Sequence, residues 1–262
     1  MSILSSTRTG KIGVYTEFPS TKNELIYKIK HYIGLNGNNC SLNHIDVSKI
    51  DNFDCLFINF KEFNGDISKW NVSNARSMYR MFESSKFNGD ISKWNVGKVE
   101  DMSGMFCHSD FNGDISKWNT SNVTHMSSMF WNSKFNGDIS KWNVGKVEDM
   151  HCLFGYSKFN GDISKWNIKK LIRASYMFSH SVFEGDISEW NVSSVRDMNT
   201  MFANSEFNGD ISNWNVSIVE NMSGMFWNSK FNRDISNWKI NPECITYDMF
   251  YRSSIKEEYK PK

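Results

Sequence analysis

The sequence repeats itself with a period of 24 residues, and this period constrains the fold more than any other feature. The string FNGDISKWNV starts at Phe63 and occurs in recognisable form eight times, without an insertion until about residue 253. Each unit carries roughly eight apolar positions, which no single unit can bury. Because stacked units bury each position against its own copy above and below, the period predicts a solenoid.

Each unit contains two kinds of local signal. The segments DIS and WNV are short and β-prone, and NGD is typical of a turn. The segment SNVTHMSSMF spaces its apolar residues at i, i+3, i+6 and i+7, which favours a short helix or 3₁₀ turn. One short parallel strand and one short helical piece per unit predict an α/β fold, a right-handed solenoid with leucine-rich-repeat-like geometry.

The chain divides into four stretches of one continuous solenoid domain. Residues 1–38 are predicted to hold an N-terminal strand and a capping helix, and residues 39–62 a degenerate first repeat. Residues 63–254 hold eight units of 24 residues, and residues 255–262 form a charged C-terminal tail. Atypical terminal units are expected because they must face water.

The N-terminal stretch does not repeat. KIGVYTEF (residues 11–18) predicts a strand, and the segment after Pro19 predicts an amphipathic helix. Thr21 and Glu24 have the spacing of a capping box, and Gly34 is a stop signal. This helix is expected to close the open end of the solenoid.

The consensus of the units, FNGDISKWNVSNVT followed by the closing Met–Phe pair, resembles the BspA-like leucine-rich-repeat surface proteins, also described as Mycoplasma-type lipoprotein repeats. The resemblance covers nearly the whole chain, and it includes the helix TKNELIYKIKHYI and the IDVS that follows. It implies a non-enzymatic binding solenoid with a role in adhesion or host interaction. This chain departs from the surface members because it shows no signal peptide, lipobox or anchor.

Composition narrows the classes of partner and location. The formal net charge of +1 gives no reason to expect nucleic acid or an anionic membrane as partner. Five irregularly spaced cysteines without a CxxC predict neither a disulfide framework nor a zinc site. No run approaches the ~18 apolar residues of a membrane span. We therefore expect a cytoplasmic or other intracellular protein, with a virion or cell-surface location as the alternative.

Two charged columns run along the repeats. The aspartate column is expected to accept backbone N–H groups within its own turns, and a calcium ladder is less favoured because calcium repeats carry more carboxylates per unit. The lysine column could grip an anionic strip on a partner, or it could be a solvated face. The aspartates are Asp66, Asp90, Asp114, Asp138, Asp162, Asp186, Asp210 and Asp234, and the lysines are Lys69, Lys93, Lys117, Lys141 and Lys165.

Aromatic residues occur in two settings. The tryptophan column, from Trp70 to Trp238, is either a core ladder or an exposed strip that binds sugar or peptide. Other aromatic and histidine side chains occupy variable positions that the architecture leaves free, and such residues are typical of binding hot spots. These candidate partner-binding residues are Tyr79, His108, Trp131, Tyr156, Tyr176, His180 and Trp227.

No catalytic constellation, phosphate loop or metal-ligand spacing appears in the sequence, so we expect neither an enzyme nor a cofactor. The sequence predicts a monomeric module that binds a host or competitor protein. One alternative is a structural component of a virion or surface layer, and the other is a binder of glycan or anionic polymer through the tryptophan or lysine column.

Overall fold

The computed structural model describes residues 15–262, and these stack into a repeat solenoid. Each unit of 24 residues makes one turn of the solenoid, because a parallel bridge joins one residue of each unit to the residue 24 positions further on. The series includes Ser77 with Asp101, Asp101 with His125, and His125 with Asp149. The bridges are isolated, so the described part of the chain contains no strand longer than a single bridged residue.

The units are joined by hydrogen bonds along one segment, residues 77–84 and their equivalents, which we call the ladder segment. The main-chain N–H groups of Met78, Arg80 and Phe82 donate to the main-chain oxygens 23 residues later, at 2.9 Å in each case. Between them, Met81 N–H donates back to the oxygen of Met78 at 3.1 Å. The ladder segment therefore alternates bonds to the next unit with bonds inside a tight turn.

Left-handed backbone produces this alternation. Arg80 has a φ of 50° and Ser84 a φ of 56°, and the same two positions are left-handed in the later units. In the second position the chain carries residues such as His108 and Asn132, which tolerate positive φ better than most. With left-handed residues four positions apart, alternate N–H groups, those of residues 78, 80, 82 and 84, face the following unit.

The structure therefore differs from the predicted strand and helix within each unit. The DIS and WNV segments form no bridges and lead into turns, at residues 68–69 and 73–74 in the first full unit, and the bridges lie in the segment predicted to be helical. The reason is local: the Asp66 and Asn71 side chains each accept a hydrogen bond from the N–H two residues later, which competes with strand pairing. The described helices are α1, Lys22–Asn36, and a 3₁₀ helix, Glu257–Tyr259.

Aromatic columns fill the core. The Phe87 and Phe111 rings stack at 6.3 Å, and the equivalent pairs repeat along the chain. Each tryptophan of the column from Trp70 to Trp238 is only 3–4% exposed. The Nε1 of Trp94 donates to the main-chain oxygen of Ile67, in the preceding unit, at 3.2 Å. The tryptophan column is therefore a core ladder, and the exposed aromatic strip is the wrong alternative.

Helix α1 closes the N-terminal end, with Leu25 and Ile29 fully buried in the same core. The predicted N-terminus is confirmed, since Thr21 Oγ1 accepts from Glu24 N–H at 3.2 Å. The helix passes through Gly34 and ends instead at Asn36, followed by the capping residue Gly37, whose φ is 78°. Of the predicted N-terminal strand, residues 11–14 lie outside the described residues, and Glu17 forms a parallel bridge with Ile45.

The C-terminal segment, predicted to be a charged tail, continues the path of the repeat. Ile255 lies 24 residues after Phe231 and is 8% exposed, so it takes the place of the phenylalanine. The Tyr259 main-chain oxygen accepts from Ile235 N–H at 3.0 Å. These contacts hold residues 255–259 against the last unit.

Candidate functional site

The variable positions of the ladder segment lie on the outside of the solenoid, and the structure brings four of the predicted residues together there. Trp131 meets Tyr156 edge-on with ring centroids 4.9 Å apart. Tyr156 then stacks on His180 at 4.1 Å, with the rings 10° from parallel. His108 lies beside Asn132, with its Nδ1 2.7 Å from the amide nitrogen. We call Trp131, Tyr156, His180, His108 and Asn132 the aromatic face.

A missing side chain makes room for the indole of this face. A Cβ placed on Gly155 would lie 2.3 Å from the Cζ3 atom of Trp131. The corresponding residue in neighbouring units is Ser179 or Ala203, each of which carries a Cβ. Gly155 therefore allows Trp131 to lie flat over the ladder segment of the next unit.

A shallow groove of about 320 Å³ opens next to the indole. Trp131, His108, Tyr79 and Arg80 are among its walls. Burial lowers the pKa of the His180 imidazole, so this ring is neutral at pH 7. The aromatic face can therefore offer a ligand stacking surface and hydrogen-bonding groups, and His180 adds no positive charge to it.

The rings of the other three aromatic candidates contact residues outside this face. Tyr176 meets His151 at a ring distance of 5.7 Å. Trp227 stacks on Tyr251 near the C-terminal end, at 6.5 Å. Tyr79 carries the guanidinium of Arg80 over its ring at 5.0 Å and lines the groove beside Trp131. Tyr79 thus extends the aromatic face, whereas Trp227 marks a second, smaller cluster.

The lysine column is exposed along its whole length. Within residues 15–262, none of the five lysines lies within 4 Å of a carboxylate oxygen. The aspartate column runs beside it, and the pKa of Asp138 is lowered first by hydrogen bonds from Ser140 and then by the charge of Lys141. The two columns therefore form a mixed-charge surface, not a purely cationic strip.

The aspartates make the contacts expected of a turn. Asp138 Oδ1 accepts from the N–H and the hydroxyl of Ser140, at 2.9 and 2.7 Å. Equivalent N–H bonds recur from Ser68 to Ser236. These hydrogen bonds lower the pKa of Asp138, so the carboxylate stays ionised well below pH 7.

A cysteine–histidine contact, which the sequence analysis missed, lies close to the aromatic face. The Sγ of Cys152 is 3.0 Å from Nε2 of His151, and Nδ1 of that ring is 2.7 Å from the Ser175 hydroxyl. Burial raises the pKa of Cys152 to about 12 and that of Cys107 to about 11. Both thiols are protonated at neutral pH, so neither is an activated nucleophile.

Residues 15–262 bring together no group of three or more histidine, cysteine, aspartate or glutamate side chains that could hold a metal ion.

Neither of the two helices in the described part of the chain is long and apolar enough to cross a membrane.

Comparison with known proteins identifies a family. A family model described as "Mycoplasma protein of unknown function, DUF285" matches residues 28–110, 107–182 and 159–260. These overlapping matches cover every unit of the solenoid. No curated protein and no solved structure matches the chain.

Proposed function

Because this chain belongs to the DUF285 family of Mycoplasma-type repeat proteins, whose function is unknown, we propose a function from its surface: it is a module that binds a partner protein through the aromatic face. The observation that carries this proposal is the continuous row of ring contacts from Trp131 through Tyr156 to His180 across three successive units, the first edge-on and the second stacked. Exposed aromatic clusters with polar neighbours are typical of the centres of protein interfaces.

The backbone of Tyr156 supports the same proposal. Its φ is 54°, in the left-handed region that bulky side chains rarely adopt, and its side chain is nevertheless 47% exposed. Other units place Asn132 or Asn204 at this position, which is the easier choice. A strained residue whose ring is not needed to fill the core is better explained by contact with a partner.

The proposal also covers the kind of partner, the oligomeric state, the location and the type of coil. The partner is a protein of a host or a competitor, and the module acts as a monomer inside a cell, with a virion or cell surface as the alternative location. The likeness of FNGDISKWNV to BspA-like leucine-rich repeats supports a right-handed coil of that type and a non-enzymatic role.

Affinity capture with matched variants tests the proposal. The bait is the full chain, incubated with lysate of candidate host cells, alongside Trp131→Ser and Tyr156→Asn. The control is Tyr27→Ser, because Tyr27 is 68% exposed but lies on helix α1, away from the aromatic face.

One protein captured in stoichiometric amount by the parent chain and the control, and lost with both face variants, would support the proposal. Capture that survives both face variants, or self-association alone, would overturn it and favour a structural assembly.

An anionic polymer is the second candidate ligand, and the five exposed lysines favour it. This candidate predicts binding that weakens steeply with salt, because such association releases counterions.

A further inference from the structure

A second and larger groove borders the aromatic face. Its volume is about 910 Å³, and Tyr156 of that face lies along it together with His108 and Asn132. Four charged side chains also line it, and they are distinct from the lysine column. We call this the donor groove, and its charged walls are Lys86, Asp110, Lys134 and Lys158.

Asparagine side chains add a row of amide donors to this groove. The Oδ1 atoms of Asn64, Asn88 and Asn112 each accept from the main-chain N–H 24 residues later, at 2.8 Å. Because the atom that faces an N–H donor must be the oxygen, the NH2 group of each side chain points away from that N–H. Within residues 15–262, these three NH2 groups donate to no acceptor. They are therefore free to donate to a ligand in the donor groove.

Lysines at the position just before the repeated phenylalanine pair with a carboxylate of the preceding unit. The pairs are Lys86 with Glu62, Lys134 with Asp110, and Lys230 with Glu206, each at 2.7 Å. Lys158 occupies the same position, but the preceding unit carries Lys134 there and the following unit carries Val182. In the described part of the chain, no carboxylate oxygen lies within 4 Å of the Lys158 ammonium. Lys158 is thus a lysine of this position that lacks its carboxylate.

The charges of the donor groove do not balance. Among its described walls, three ammonium groups stand against the carboxylate of Asp110, which is already paired with Lys134. Lys134 and Lys158 hold the same position in successive units, whose backbones are about 5 Å apart where they pair. Like charges at this spacing repel each other. A carboxylate placed beside Lys158 would relieve that repulsion.

We propose that the donor groove binds an acidic segment of the partner protein, with one carboxylate beside Lys158 as Asp110 lies beside Lys134. This proposal rests on the proposed function, and it names the chemistry of the partner. The free asparagine NH2 groups donate to oxygens of the same segment. Since Tyr156 belongs to the aromatic face and also lines the groove, one partner can cover both. Complementary charge then selects acidic partners over neutral or basic ones.

Asp110 favours a protein segment over a uniformly charged polymer. A polyanion such as heparin carries negative charge along its whole length, so part of it would meet the Asp110 carboxylate. A peptide can place acidic residues opposite the lysines and neutral residues opposite Asp110. The mixed walls of the groove therefore suit an acidic peptide segment better.

A peptide probe tests the groove without the partner. Fluorescence anisotropy measures how the full chain binds a labelled peptide of alternating glutamate and alanine, and a peptide with glutamine in place of glutamate is the neutral probe. The groove variant combines Lys134→Gln with Lys158→Gln. Its matched control combines Lys117→Gln with Lys141→Gln, which removes the same charge from two successive units of the lysine column.

We expect the groove variant to bind the glutamate peptide at least tenfold more weakly than the parent chain. The control variant, and Trp131→Ser on the aromatic face, should bind it within about twofold of the parent. This pattern supports the proposal even if lysate yields no captured partner. Equal loss in both lysine variants, or equal binding of the glutamate and glutamine peptides, overturns it.

Two further outcomes separate this proposal from its alternatives. Heparin binding that the groove variant loses, without any binding of the glutamate peptide, overturns it in favour of a polyanion. In the lysate capture, a partner that is lost with Trp131→Ser and kept by the groove variant leaves the proposed function standing and overturns the acidic segment.

Discussion

The indole Nε1 of Trp142 donates a hydrogen bond of 3.0 Å to the main-chain oxygen of Ile115, 27 residues earlier. The same bond recurs from Trp94 to Trp238, so each tryptophan ties its own unit to the one before. A single side chain thus supplies core volume and also donates a second hydrogen bond, from the next unit, to an oxygen that already accepts from Trp118 N–H at 3.2 Å.

Replacing this indole should be costly. We expect Trp142→Phe to lower the free energy of unfolding by about 1–3 kcal/mol, because it removes the hydrogen bond between units and leaves a cavity in the core. Urea denaturation measures this change. The control is the neighbouring Lys141→Ala, which should change stability by about 0.5 kcal/mol or less. A loss below about 1 kcal/mol for Trp142→Phe would show that the bond contributes little.

The period and the core columns of this fold could be predicted from the sequence, because a column repeated every 24 residues has to stack on itself. The burial of the tryptophans could not be predicted, since an indole suits both a core and a binding strip. Only the folded backbone reveals that the Ile115 oxygen lies within hydrogen-bonding distance of the Trp142 indole.

The predicted helical piece shows a different limit. Spacing of i, i+3 is shared by helices and by the tight turns of the ladder segment, so periodicity alone does not separate them. A signal was present nonetheless: Gly104, Asn132 and Asn204 occupy left-handed positions, and such residues suggest positive φ. For the aromatic face, the period places Trp131 and Tyr156 in neighbouring units, but the space above Gly155 is visible only in three dimensions.

The aspartate column makes stability depend on acid. The folded-state pKa values of the column are lowered, so its contribution is complete above the unfolded value of about 3.9 and is lost as pH falls through the folded values. We expect the melting temperature to fall steeply below about pH 4. Asp114→Asn, Asp138→Asn and Asp162→Asn together should flatten this fall, because asparagine keeps the acceptor and cannot be protonated. If the triple variant shows the same loss of stability in acid as the parent chain, the aspartate column is not the cause of that loss.

Gly155 allows a test of the aromatic face without touching its rings. We expect Gly155→Ala to displace Trp131, because the new Cβ would lie 2.3 Å from the indole. Partner binding should fall at least tenfold, and the indole fluorescence should change. The control is Gly34→Ala, whose Cβ meets nothing within 4 Å and which should stabilise helix α1 by about 0.5–1 kcal/mol. Unchanged binding by Gly155→Ala would show that Trp131 is not part of the binding surface.

The lysine column can be tested against the aromatic face in one experiment. We expect Lys93→Glu, Lys117→Glu and Lys141→Glu together to leave protein-partner binding within about twofold, because these side chains lie on the mixed-charge surface, away from Trp131. Binding to heparin, used as a model polyanion, is measured at low and high salt alongside.

Heparin binding that is strong, salt-sensitive and lost in this triple variant would favour the anionic-polymer candidate. A large loss of protein-partner binding would extend the interface to the lysine column. If neither changes, the column is a solvated face, and its charge serves solubility beside the aspartates.

Replacing Tyr156 by asparagine should change stability and partner binding in opposite directions. With a φ of 54°, its backbone is strained for an aromatic residue, and asparagine occupies the same position in Asn132 and Asn204. We therefore expect Tyr156→Asn to raise the free energy of unfolding by up to about 1 kcal/mol, while partner binding falls at least tenfold. Thermal unfolding and a binding titration measure the two effects. Tyr156→Phe, which keeps the stacked ring at the same φ, should bind within a few fold of the parent chain. A destabilised Tyr156→Asn variant would mean that the ring is held for packing, and its exposure would then no longer support a binding role.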